Sequence, residues 1–212
     1  MSEAERYGQI AENLINGNAD RVKELISEAI ATGEQPGDIL ENGLLLGMTE
    51  VGRRFKAEEF YIPEVLIAAR AMTMGMEIIE PLLAASGVAS RGKVLIGTVQ
   101  GDLHDIGKNL ASIMFQGAGF KVIDLGVDVP VEKFIQAAQT HEPEIIGLSA
   151  LLSSTMVHME SVINGLRENG IPSKIIVGGA PITAEFARSI RADLFAPTAA
   201  DAVDKVLAVL GN

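Results

Sequence analysis

The chain has 212 residues, 48% hydrophobic and 21% charged, so it can bury a sizeable core and is not a disordered chain. Its 28 acidic and 17 basic side chains give a net charge of −11, which argues against a nucleic-acid surface and against attraction to anionic membranes. There is no cysteine, which excludes disulfides, thiolate zinc sites, cysteine-ligated iron–sulfur clusters and thiol nucleophiles.

The opening stretch MSEAERYGQIAEN lacks a basic region followed by an apolar run, so it does not read as a secretory signal. Later apolar stretches are broken by Glu, Arg or Gly before they reach the length of a bilayer, and the expected location is the cytoplasm. Up to about Ala85 the pattern is helical only. A first helix is expected over Glu3–Asn16, ending near Gly17. A second opens at Asn18 or Asp20, either of which suits an N-cap, with Val22, Leu25, Ile26, Ala29 and Ile30 on one face. After the Gly33–Gly37 break, a third carries Ile39, Leu40, Leu44, Met48, Val51 and Phe55. Pro63 suits the first turn of a fourth, which points Val65, Leu66, Ala69, Met72, Met76 and Ile79 inward. These predict an antiparallel four-helix bundle over residues 1–88.

Ser86–Gly92 (SGVASRG) is small, polar and Gly-bearing, and is the expected linker. Beyond it, apolar β-branched runs alternate with helical patterns. Strands are expected at Lys93–Val99, Lys121–Leu125, Ile145–Ser149, Lys174–Val177 and Leu194–Ala196. The helices are expected at Ile106–Ala118, Val131–Thr140, Thr155–Asn169, Ala184–Ile190 and Ala199–Leu210. Alternation with fully apolar strands predicts an α/β domain over residues 89–212, a doubly wound, flavodoxin-like parallel sheet of five strands. Ligands of such sheets bind beyond the carboxyl ends of the strands, so the residues just after each strand carry the chemistry.

After the first strand, Gln100-Gly101-Asp102-Leu103-His104-Asp105-Ile106-Gly107-Lys108-Asn109 puts one imidazole, two carboxylates and two glycines in one loop before a helix. A neutral imidazole is a good transition-metal ligand once a partner fixes its tautomer, and Asp102 is placed to be that partner. Asp105 is positioned to cap the next helix, and Gly107 permits close approach of something bulky. The third strand ends in Ser149-Ala150-Leu151-Leu152-Ser153-Ser154-Thr155, whose hydroxyls can bond a polar ligand or cap a helix. The fourth ends in Gly178-Gly179, which removes side chains from the mouth of the sheet, and the fifth in Ala196-Pro197-Thr198-Ala199. No phosphate loop of the G-x-G-x-x-G or Walker type is present.

Asp102-x-His104-x-x-Gly107, Ser149-x-Leu151 and Gly178-Gly179 together resemble the signature of cobalamin-binding domains of the methionine synthase type. The helical half resembles the cap module that precedes that domain, through Val51-Gly52-Arg53-Arg54-Phe55 and Phe60-Tyr61-Ile62-Pro63-Glu64. The whole chain looks like a corrinoid protein of the anaerobic methyltransferase systems. The resemblance implies a base-off, His-on cobalamin with His104 as lower cobalt ligand and Asp102 hydrogen-bonded behind it. Thr155 would complete the relay where relatives carry Ser. Leu103, Asp105, Ile106, Gly107 and Leu151 are implied as further cofactor contacts, with Ser149 and Ser153 toward the tail or corrin amides. Gly178, Gly179 and Ala199 would line the tail slot or ring edge. Phe55 and Ile62 match the apolar cap residues over the methyl-bearing face, and Glu41 a cap residue touching the corrin. Ser153 for a usual Thr and Arg191 for a common Gly depart from the pattern.

The resemblance further implies a carrier rather than an enzyme in its own right. Its cob(I)alamin would take a methyl group from a methylamine, methanol, betaine or methoxy-aromatic donor through a partner methyltransferase. A second methyltransferase would pass the group to coenzyme M or tetrahydrofolate, and a reductive activase would restore the reduced cobalt. Blander readings stand beside these. Phe55 and Ile62 suit a bundle core, Gly178-Gly179 suits tight packing, and Met72, Met74 and Met76 read as core filler. His141 and His158 read as surface residues. Two rival functions are a metal-dependent hydrolase on His104-Asp105, which needs further ligands, and a cobalamin-dependent sensor.

Overall fold

Short-range signals set the first helices. Ser2 and Glu5 close a capping box on α1 (Glu3–Ile15): the Glu5 amide donates to Ser2 Oγ at 3.3 Å and the Ser2 amide to Glu5 Oε2 at 2.8 Å. Gly17, at φ +72°, turns the chain toward α2 (Ala19–Ala31). Of the two expected caps, Asn18 holds the N-cap position, although its side chain donates to Asn13 Oδ1 and not to the cap. This is a computed structural model describing residues 1–86 and 90–211. The expected boundary between residues 88 and 89 and the middle of the expected linker Ser86–Gly92 fall on 87–89, outside the described residues, while Ser86 itself still belongs to the helix before them.

The chain separates into two compact units, one built on Met1–Ser90 with Gly117–Gly119, the other on Arg91–Gln116 and Phe120–Asn212. In the first, the third expected helix is not one regular helix. It runs as α3 (Pro36–Ile39), a π-helical turn (Leu40–Leu45) and α4 (Leu46–Lys56). A π turn takes up one extra residue, and Leu44 and Leu45 at its end and Met48 and Val51 in α4 are buried. Glycine permits the close approach to α1, since a Cβ on Gly43 would lie 3.0 Å from Ile10 Cγ2 and one on Gly47 3.1 Å from the Ala11 carbonyl.

Pro63 lies in the first turn of α5 (Ile62–Ser86), as expected, and the helix continues through Pro81. Its buried stripe is Val65, Ala68, Met72, Gly75, Ile79 and Leu83. Leu66, expected inward, sits one position off that stripe and is 49% exposed. The bundle core is Ile10, Leu14, Val22, Leu25, Ile26, Ile39, Leu44 and Ile79, all fully buried. Each such side chain contributes roughly 1.5–3 kcal/mol through burial. Arg6 on α1 pairs with Glu34 just before α3, both side chains buried.

The second unit alternates β1 (Lys93–Thr98), α6 (Ile106–Gly117), β2 (Lys121–Asp124), α7 (Val131–His141), β3 (Ile145–Ser149), α8 (Val157–Glu168), β4 (Lys174–Gly178), α9 (Ala184–Ser189), β5 (Leu194–Ala196) and α10 (Ala199–Leu210). The strands form a parallel sheet in the order β2-β1-β3-β4-β5, as expected of a flavodoxin-like fold. Central strands β1, β3 and β4 are almost wholly buried because helices cover both faces of the sheet. The order reverses between β1 and β3, opening a crevice at their carboxyl ends. There the register aligns Thr98, Ser149, Gly178 and Ala196 in one row across four strands. Most boundaries of this unit fall within one residue of expectation, but α8 starts two residues late, at Val157 and not Thr155, and Ser153–Met156 form a turn. The site explains why.

Candidate functional site

After Thr98 the chain turns through Gly101, at φ +80°, into the Asp102–Asp105 loop. Asp102 is fully buried and its carboxylate accepts five hydrogen bonds. Oδ1 accepts from the His104 amide (3.1 Å) and faces His104 Nδ1 at 2.7 Å. Oδ2 reaches across the switch point to the β3–α8 turn, accepting from the Leu151 amide (2.8 Å), the Leu152 amide (3.2 Å) and the Thr155 hydroxyl (2.6 Å). Thr155 is therefore drawn out of α8 to face Asp102. Burial alone would raise the Asp102 carboxyl's pKa, but donors from Thr155, Leu151 and His104 outweigh it and hold the group well below the usual carboxylate range.

An ionised carboxylate opposite Nδ1 keeps the proton on Nδ1 and leaves Nε2 with its lone pair. The His104 side chain is 50% exposed. Its backbone is tied from below by the buried Thr98 hydroxyl, which donates to the His104 carbonyl at 2.9 Å. The result is one oriented imidazole donor at the carboxyl edge of the sheet.

The other expected residues of this unit fall around it. Leu103 and Ile106 are 71% and 69% exposed, and Leu151, Leu152 and Val157 also present apolar side chains to the outside. Soluble proteins rarely leave such a group of apolar side chains uncovered without a binding role. Asp105 directly precedes α6 and its Oδ2 accepts from Asn109 Nδ2 at 3.1 Å. A Cβ on Gly107 would meet nothing within 4 Å, so the approach there is open. Ser149 ends β3 half-buried, and Ser153 lies exposed in the following turn. Ala199 opens α10 behind its cap Thr198. The paired glycines have a local reason of their own. Gly179, at φ +132°, packs so closely that a Cβ would lie 1.9 Å from the Ala150 carbonyl oxygen, and one on Gly178 would meet the Ala196 carbonyl at 3.2 Å.

Phe55, Ile62 and Glu41 belong to the first unit. Phe55 is half-buried in the last turn of α4, Ile62 opens α5 and is 40% exposed, and Glu41 is exposed in the π turn. His141 is exposed at the end of α7, as expected of a surface residue, whereas His158 is half-buried on α8. Met72 is buried and Met76 half-buried in their bundle. Sequence reasoning missed Leu152 and Thr98. A polar residue closing an otherwise apolar strand was the available signal for Thr98; nothing in the sequence marks a backbone amide such as that of Leu152.

A corrin ring brings four nitrogen donors to its cobalt and asks the protein for at most one more on its lower face. The donor set fits: among the described residues no group of three or more His, Asp or Glu side chains converges to hold a bare ion, and His104 offers a single imidazole. The same observation leaves the hydrolase reading without the ligands it needs among those residues. Two family models, both described as a B12 binding domain, match residues 92–207 and 7–80. The chain belongs to the B12-binding family. Its cofactor is a cobalamin, and the cobalt comes with it.

The B12-binding chain is 44% identical over 191 residues to trimethylamine corrinoid protein 1 of Methanosarcina acetivorans, covering 88% of each. It is 41% identical to the dimethylamine corrinoid protein of Methanosarcina barkeri, covering 99% of this chain and 100% of that one. Among solved structures it is similar to the methanol:cobalamin methyltransferase complex MtaBC of Methanosarcina barkeri. That match has a TM-score of 0.89 and 31% identity, covering 100% of this chain and 82% of the other. No helix among the described residues is long and apolar enough to cross a membrane.

Proposed function

We propose that this B12-binding protein is a methyl carrier that works between methyltransferases. The observation that carries the reading is the half-exposed His104 imidazole with Nδ1 locked by buried Asp102, on a chain whose relatives are named for trimethylamine and dimethylamine corrinoid proteins. The corrinoid, when bound, supplies a cobalt centre able to take and release a methyl group. The chain supplies the lower ligand, Nε2 of His104. Asp102 and Thr155 set how strongly that nitrogen donates, because a carboxylate on the far ring nitrogen raises ligand basicity.

Leu103, Ile106 and Leu151 give the ring an apolar seat, and Gly107 leaves room beside it. Ser149 and Ser153 offer polar contacts, with Gly178, Gly179 and Ala199 on the tail side. Phe55, Ile62 and Glu41 are assigned to the cofactor by the resemblance, supported by the 40% exposure of Ile62, which its own bundle does not cover. The partners are a donor-side methyltransferase acting on a methylated amine or similar donor, a second methyltransferase serving coenzyme M or tetrahydrofolate, and a reductive activase.

His104→Ala tests the ligand. The variant is expected to retain corrinoid through the ring and tail contacts and to lose the nitrogen splitting of axial ligation in the Co(II) electron paramagnetic resonance spectrum. An unchanged spectrum together with an unchanged methyl-transfer rate would sink the assignment.

A further inference from the structure

We infer that Asp128, in the loop between β2 and α7, is a positioning residue that sets the height and direction of His104 by clamping the backbone of the β1–α6 loop. This rests on the reading of His104 as the cobalt ligand. The observation is a reciprocal pair of hydrogen bonds: the Gly101 amide donates to Asp128 Oδ1 at 2.7 Å, and the Asp128 amide donates to the Asp102 carbonyl at 3.0 Å. One residue thus holds the two backbone groups, the Gly101 amide and the Asp102 carbonyl, that flank the Gly101–Asp102 peptide bond. Buried Asp102 anchors the loop to the β3–α8 turn through its side chain, and Thr98 holds the His104 carbonyl. The Gly101–Asp102 backbone depends on Asp128 and on the turn bond from the Asp102 amide to the Val99 carbonyl (3.2 Å).

The clamp is itself built on a fixed platform. Val129 pairs with Val99 in a parallel bridge, and its amide donates to the Thr98 carbonyl at 3.0 Å. Asp124, at the end of β2, pairs with the buried Lys108 of α6 and accepts the Gly126 amide at 2.8 Å, while Lys133 donates to the Leu125 carbonyl at 2.9 Å. Asp128 adopts a left-handed backbone, φ +52°, and in that conformation its amide and carboxylate both reach the Gly101–Asp102 stretch. Among residues other than glycine, Asn and Asp adopt that region most readily. Two separable properties are therefore required at this position: a side-chain acceptor and tolerance of positive φ. Asp128→Asn keeps both, Asp128→Gly keeps only the backbone, and Asp128→Ala keeps neither.

The Co(II) spectrum of each loaded variant measures the fraction with nitrogen-ligated cobalt. Amide hydrogen exchange at Gly101 in the corrinoid-free protein measures the clamp directly. Asp128→Asn is expected to match wild type in both. Asp128→Gly is expected to lose Gly101 protection and to weaken histidine ligation by up to about tenfold, the effect of losing one hydrogen bond. Corrinoid content should stay that of the His104→Ala variant or better. If Asp128→Gly keeps the wild-type ligated fraction while His104→Ala loses it, the clamp is refuted and the ligand stands. If His104→Ala leaves the spectrum unchanged, it is the ligand reading that fails, and Gly101 exchange still reports on the clamp.

Discussion

Asp102→Asn keeps the shape of the side chain while removing its charge, and the five donors around it decide the outcome. An amide offers one acceptor oxygen and turns an NH2 toward donors on its other side. Either the Leu151–Leu152–Thr155 group or the His104 pair loses its acceptor. Buried donors left unpaired cost about 1–3 kcal/mol, the loss expected in urea unfolding at pH 7. The pH dependence has a definite sign. Because the folded carboxyl is held below the ordinary value of about 3.9, its contribution is complete above that value and declines as pH falls through the lower folded value. Wild type should thus lose stability below about pH 4 more steeply than the variant; parallel acid limbs for the two would refute the assignment. The Asp102–His104 pair was legible because two residues on one loop must be near each other. Its partners in the β3–α8 turn lie 49 to 53 positions away, and no local pattern names a backbone amide across a switch point.

At the scale of elements, the two departures from regular spacing have identifiable causes. The π turn at Leu40–Leu45 brings two nearby glycines against α1, and apolar periodicity alone could not show it because the buried residues still fit a helix roughly. The late start of α8 follows from Thr155 serving Asp102, so a tertiary contact overrides a helical pattern that begins at that residue. Arg6 of α1 is paired with Glu34, which lies just before α3, with side chains 9% and 2% exposed. Arg6 also donates to Thr32 Oγ1 at 3.2 Å, while Arg6 Nε and Glu34 Oε2 have no partner among the described residues. A pair this deep is a poor net stabiliser, yet removing one member strands the other. Glu34→Ala is expected to cost about 3–5 kcal/mol, and the double replacement Arg6→Met with Glu34→Leu much less. Chemical denaturation of the single and double variants checks this; equal losses in both would mean the pair itself, not the stranded charge, carries the energy.

At the scale of the whole molecule, the strand-end chemistry is complete within one unit. The strand–helix alternation announced a parallel sheet, but it does not dictate which strands are neighbours; the order 2-1-3-4-5 brings the ends of β1 and β3 together and makes Asp102 a bridge. The second unit has a core of its own, with Leu95, Phe134, Ile146, Met159, Ile163, Leu166, Ile175 and Val177 buried in one cluster. The five strands, the Asp102 network and the Asp128 clamp all draw on residues of that unit. At about 120 residues it also falls in the range where a single hydrophobic core sustains a fold. A fragment of residues 91–212 is therefore expected to unfold cooperatively, with the circular dichroism of an α/β protein, and to take up cobalamin with histidine on the cobalt. Spectroscopy of the purified fragment decides the matter. A non-cooperative melt would show that the core needs more of the chain, and a folded fragment that binds no corrinoid would show that the strand-end residues alone do not hold the ring.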